Sequence, residues 1–99
     1  MGYRQLKKEL LQFLNDWFFG QLGDTCIRTG KDGMKYSEHC GKNTLMWISM
    51  DGSPMYALME YGEDLWKFRN AFDKFLDERG FWYEQGHAWN INVYSKDTL

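Results

Sequence analysis

Two cysteines and two histidines, Cys26, His39, Cys40 and His87, are the side chains with the most specific chemistry to offer. Thiolate and imidazole together make a zinc ligand set, but zinc sites bring their ligands in C-x₂-C or H-x₃-H pairs, and neither spacing occurs. Adjacent residues such as His39 and Cys40 seldom both reach one ion. The same atoms would suit a nucleophilic cysteine, provided that an imidazole accepts the thiol proton and a third group orients the imidazole. No residue is spaced to be that third group. Cys26 and Cys40 are therefore read as reduced thiols in a cytoplasmic chain, with no metal bound.

Glu84 and His87 flank Gly86, and a carboxylate beside an imidazole is the pairing needed for general-base work. Here the pair falls in a turn-like stretch and reads as a solvated rim. Glycines 20, 23, 30, 33 and 41 match neither G-x-x-x-x-G-K-[ST] nor a strand followed by G-x-G-x-x-G, so no phosphate cradle is expected. Catalytic, cofactor and metal residues are all left unassigned, and the chain is expected not to be an enzyme.

Aromatic residues carry the remaining signal. They make up 18% of 99 residues, with five tryptophans, which is more ring surface than one small core consumes. Ninety-nine residues suit a single domain, 1–99, large enough to fold around one core without staples. The formal net charge of −2 gives no basic footprint for phosphates, so nucleic acid is not an expected partner. Charges persist through the first 22 residues, leaving no uninterrupted apolar signal segment, and no span has the length of a membrane crossing. Residues 44 to 80 hold seven acids, among them Asp73 and Asp77, against four bases, an acidic excess centred on one helix.

The elements that must position these residues follow from periodicity. Tyr3, Leu6, Leu10, Phe13, Leu14, Trp17 and Phe18 recur at helical spacing, and Gly20 and Gly23 stand where a left-handed residue would stop the helix. Phe19 projects away from that stripe, among Lys8, Gln12 and Asn15. Thr25 to Thr29 and Met34 to Ser37 are expected as short strands around a Gly30-Lys31-Asp32-Gly33 turn. Thr44 to Met50 and Met55 to Tyr61 form a second expected hairpin, with Ile48 opposite Ala57 and Met46 opposite Met59. Its methionine face suits the core. Its other face carries Trp47, Tyr56 and Leu58.

A second helix is expected from about Glu63 to Arg79, with Leu65, Phe68, Ala71, Phe72, Phe75 and Leu76 inward. Trp66 lies on its polar side with Asn70, Asp73 and Asp77. Beyond Gly80, the run 81 to 95 is one kinked strand or a hairpin, with Trp89, Ile91 and Val93 on one face and Asn90, Asn92 and Tyr94 on the other, solvated one. The sum is an α+β domain, in the order α-β(β)-β-β-α-β(β): an antiparallel β-sheet with two amphipathic helices packed on one face.

That arrangement leaves the opposite sheet face uncovered. Phe19, Trp47, Tyr56, Leu58, Trp66, Asp73, Asp77 and Tyr94 are the expected partner-binding residues, since exposed aromatic rings dominate interfaces. The partner is another protein or a second copy of the chain, most simply in a two-fold dimer. In size and surface the chain suits a non-catalytic interaction module, an inhibitor or accessory protein of the type phages and mobile elements encode. The alternative is a small-ligand-binding or enzymatic domain with an aromatic-lined pocket.

Overall fold

A computed structural model of the chain describes residues 1–37, 40–50, 65–87 and 89–98. Helix α1 spans Tyr3–Phe18, strand β1 Cys26–Thr29, helix α2 Gly30–Tyr36, strand β2 Met46–Ser49, helix α3 Leu65–Asp77, and strands β3 and β4 Phe81–His87 and Asn90–Ser95. A 3-10 turn, Lys96–Thr98, follows. The four strands form one antiparallel sheet in the order β1-β2-β4-β3. The fold is α+β, with the two amphipathic helices on one face as the periodicity predicts.

Strand alternation divides the sheet into two faces. The near face presents Met46 and Ile48 of β2, Ile91 and Val93 of β4, and Phe81 of β3, all buried in one core with Leu6, Leu10, Leu14 and Phe18 of α1 and Phe68, Phe72, Phe75 and Leu76 of α3. Phe68 and Phe72 are inside while Asp73 and Lys74 are exposed, as the stripe requires. Aromatic packing joins the helices: Phe13 meets Phe75 at 4.8 Å between ring centroids, and Trp17 meets Phe68 edge-on at 5.3 Å. This pairing runs α1 and α3 antiparallel.

The turn expected at Gly30-Lys31-Asp32-Gly33 is instead the body of α2. Thr29 caps this helix, its hydroxyl accepting from the Asp32 N–H at 3.1 Å, and Asp32 sits in the first turn where an acid complements the macrodipole. Neither Gly30 nor Gly33 has a positive φ. Both are glycines for proximity: a Cβ on Gly30 would lie 1.7 Å from the Thr44 carbonyl oxygen, and one on Gly33 2.7 Å from the Trp47 Cβ. Hence α2 covers part of the far face, the face that sequence periodicity left open. Met34 to Tyr36 are helical, not a strand.

Both edges of β2 are occupied, Ile48 pairing with Ile27 and Ile91, and Met46 with Thr29 and Val93. The expected pairing of Ile48 with Ala57 and Met46 with Met59 is thereby displaced, because strands contributed by 26–29 and 90–95 take both ladders. Residues 51–64, with Tyr56 and Leu58, lie outside the described residues. The 81 to 95 run resolves as a hairpin, with a register shift between Gln85 and His87. Trp89 precedes β4, and its ring meets Trp47 on the far face at 6.1 Å instead of joining Ile91 and Val93.

Candidate functional site

The largest exposed rings stand at the ends of two helices. Phe19 is 90% exposed and Trp66 68% exposed. The antiparallel pairing of α1 and α3 brings the end of one and the first turn of the other to the same end of the helical layer, with the half-buried Trp17 between α1 and Phe68 there. Phe19 ends α1 in the left-handed conformation, at φ 55°. The Gly20 N–H reaches the Asn15 carbonyl at 2.9 Å, the six-to-one bond of a Schellman ending in which glycine ordinarily holds the position Phe19 takes here. Gly20 and Gly23 are also left-handed, one and four residues further on.

Along α3, Trp66, Asn70, Asp73 and Asp77 are all exposed, as the angular count predicts. Asp77 pairs with Lys96. The groove between the helices, about 280 Å³, is lined by Glu9, Gln12, Phe13, Asp16, Phe75 and Arg79. Arg79 closes one side of it: its Nε donates to Glu9 at 2.8 Å, its Nη1 to the Phe75 carbonyl at 2.8 Å, and its guanidinium lies 3.7 Å over the Phe75 ring. The Gln5 amide and then the Arg79 guanidinium hold the Glu9 carboxyl below its ordinary range.

The far face differs from its expected state. Trp47 is only 4% exposed, pressed under Gly33, because α2 reaches it through a residue with no side chain. Trp47 is thus a buried ring, contrary to the expectation from strand alternation. Asn90 and Asn92, expected in solvent, are buried. Tyr94 is half-buried, stacked on Trp82 at 4.6 Å with its hydroxyl against the Gly41 backbone. Burial of this kind normally demands partners for the polar atoms, yet the indole N–H groups of Trp47 and Trp82 meet no acceptor among the described residues.

One cleft opens there, about 140 Å³, lined by Cys26, Arg28, Tyr36, Trp47 and Ser49. The guanidinium of Arg28 stacks over the Tyr36 ring at 4.1 Å. Sequence reasoning passed over Arg28 and Tyr36, since their meeting depends on α2 and on the β1–β2 register, neither of which leaves a spacing signal.

Cys26 and Cys40 are free thiols. Cys40 is buried and donates to the Gly30 carbonyl at 3.3 Å, and burial pushes its pKa up. Among the described residues no three of His, Cys, Asp and Glu stand close enough to hold a metal ion. His39 lies outside the described residues, and of His87 only the backbone, within β3, is described. No described helix is long and apolar enough to cross a membrane. The chain matches no known family model, no curated protein and no solved structure.

Proposed function

We infer that the chain is a non-catalytic interaction module of the cytoplasm that works by covering a surface of another protein, as an inhibitor or accessory protein of the phage or mobile-element type does. The observation carrying this reading is the pair Phe19 and Trp66, 90% and 68% exposed at one end of the helical layer. Rings of this size anchor interfaces because they bury large area with few rotors to freeze. Phe19 strengthens the case from the backbone side. A left-handed phenylalanine costs about 1 kcal/mol that glycine would avoid, so the ring is kept against the preference of the helix ending.

Two substitutions test this. Phe19→Gly should stabilise the fold by about 1 kcal/mol by relieving the left-handed strain, and Trp66→Ala should change stability by no more than about 0.5 kcal/mol. Each should weaken capture of the partner from the source cell by about 2 kcal/mol, roughly thirtyfold. A second copy of the chain is the other occupant, and sedimentation velocity at high micromolar concentration separates it from a foreign protein. Retention of the same captured proteins and the same sedimentation by both variants would remove this reading.

A further inference from the structure

We propose that the far-face cleft is a binding site for a small oxyanion, a carboxylate or a phosphate group, gripped by the Arg28 guanidinium, with the Trp47 ring as its wall. This site is separate from the Phe19 and Trp66 end and does not rest on the interaction reading.

The lining sets the chemistry. Arg28, Ser49, Tyr36, Trp47 and Cys26 each bring a group able to donate, and none is a carboxylate. A cleft of donors presents positive potential and is complementary to an acceptor-only group. Cross-strand register makes the arrangement rigid: Arg28 stands opposite Trp47 and Cys26 opposite Ser49, so four of the five side chains project from one face of two paired strands. Tyr36 arrives from the end of α2, which Gly33 holds against the Trp47 side chain.

Arg28 is oriented but uncommitted. Its flat face lies on Tyr36 at 4.1 Å, which leaves the in-plane N–H edge available for two parallel bonds, the geometry that suits carboxylate and phosphate oxygens. None of the ion pairs among the described residues involves Arg28, and Asp32 of the neighbouring helix pairs with Lys35 at 3.7 Å. Trp47 is the second wall: it is 4% exposed and held under Gly33, so its ring gives the cleft a fixed apolar side against which a bound group would be seated. The volume, about 140 Å³, admits a carboxylate or phosphate group with a short attached chain.

The test is a two-dimensional ¹H–¹⁵N titration of the full chain with sodium phosphate and, separately, sodium acetate, with ionic strength held by sodium chloride. The Trp47 indole and Arg28 Nε–H signals should shift to saturation, while the Trp66 indole stays in place. Saturation by phosphate alone assigns a phosphoryl ligand, and by acetate alone a carboxyl ligand. Arg28→Gln should weaken binding about tenfold or more, and Arg28→Lys, which keeps the charge and loses the fork, by a smaller factor. Should Arg28→Gln fold poorly, Tyr36→Ala removes only an exposed platform and should still weaken binding several-fold. Linear drift matching the chloride control, or undiminished affinity in a folded Arg28→Gln or Tyr36→Ala, would overturn the proposal.

Discussion

The two faces of the sheet bury comparable rings by different means. On the near face, Met46, Ile48, Ile91 and Val93 meet the side chains of α1 and α3, and contact is made by filling space. On the far face, α2 comes down on Trp47 and Thr44 through Gly30 and Gly33, and contact is made by omitting side chains. The first strategy tolerates repacking, since neighbouring aliphatic and aromatic groups can shift by tenths of an ångström. The second brings backbone against a ring and a carbonyl, where there is no slack. Polarity differs in the same sense: the near face is almost wholly apolar, whereas the far face buries Asn90, Asn92 and two indole N–H groups.

This contrast can be broken by measurement. Phe72→Ala on the near face should cost about 4 kcal/mol, the sum of lost transfer energy and a cavity between α1, α3 and Tyr83, read as a shift in the denaturant midpoint. Gly30→Ala adds one methyl group on the far face and should still cost about 3 kcal/mol, because the new Cβ would meet the Thr44 carbonyl oxygen. A harmless Gly30→Ala would show that α2 is not seated by close approach, and the contrast would fail. Trp47→Phe should move stability by about 1 kcal/mol or less, since deleting an unpaired buried donor offsets the lost ring area. A large loss there would mean that the indole N–H has an acceptor in solution.

The smallest effect lies at the rim of the near face. The Glu9 carboxyl has its pKa lowered from the ordinary 4.5, first by the Gln5 amide and then by Arg79. A lowered folded pKa contributes stability that is present above about 4.5 and lost as pH falls through the folded value. The gap in melting temperature between the wild type and Glu9→Gln should therefore be open near neutral pH and close in acid. Glu9 lies at the half-buried rim with solvent close by, so the gap should be small and should shrink further in salt.

How much of this was legible in the sequence follows the same division. Helices α1 and α3 repeat their apolar positions at the helical period because a flat apolar surface demands a continuous stripe, and that demand is written residue by residue. Exposure of Phe19 and Trp66 followed from the same count. Helix α2 was misread because Gly-Lys-Asp-Gly has the composition of a turn, and composition does not separate a glycine chosen for its dihedral angle from one chosen for its absent Cβ. The difference at Trp47 descends from that misreading, whereas Tyr94 is covered by Trp82 and the Gly41 backbone, outside α2. The Arg28 and Tyr36 stack was invisible for a further reason, as it joins a strand to a helix through a register that no local pattern encodes.

The pairing of β2 also fixes an order of events during folding. Strands β3 and β4 are joined by a tight connection and can zip locally, whereas β2 must find β4 across about forty residues of intervening chain, a closure whose entropy is repaid only after the contacts form. The central strand is thus completed late. Until β4 is available, Met46 and Ile48 have one ladder in place of two, and the apolar stripes of α1 and α3 have no finished surface to cover.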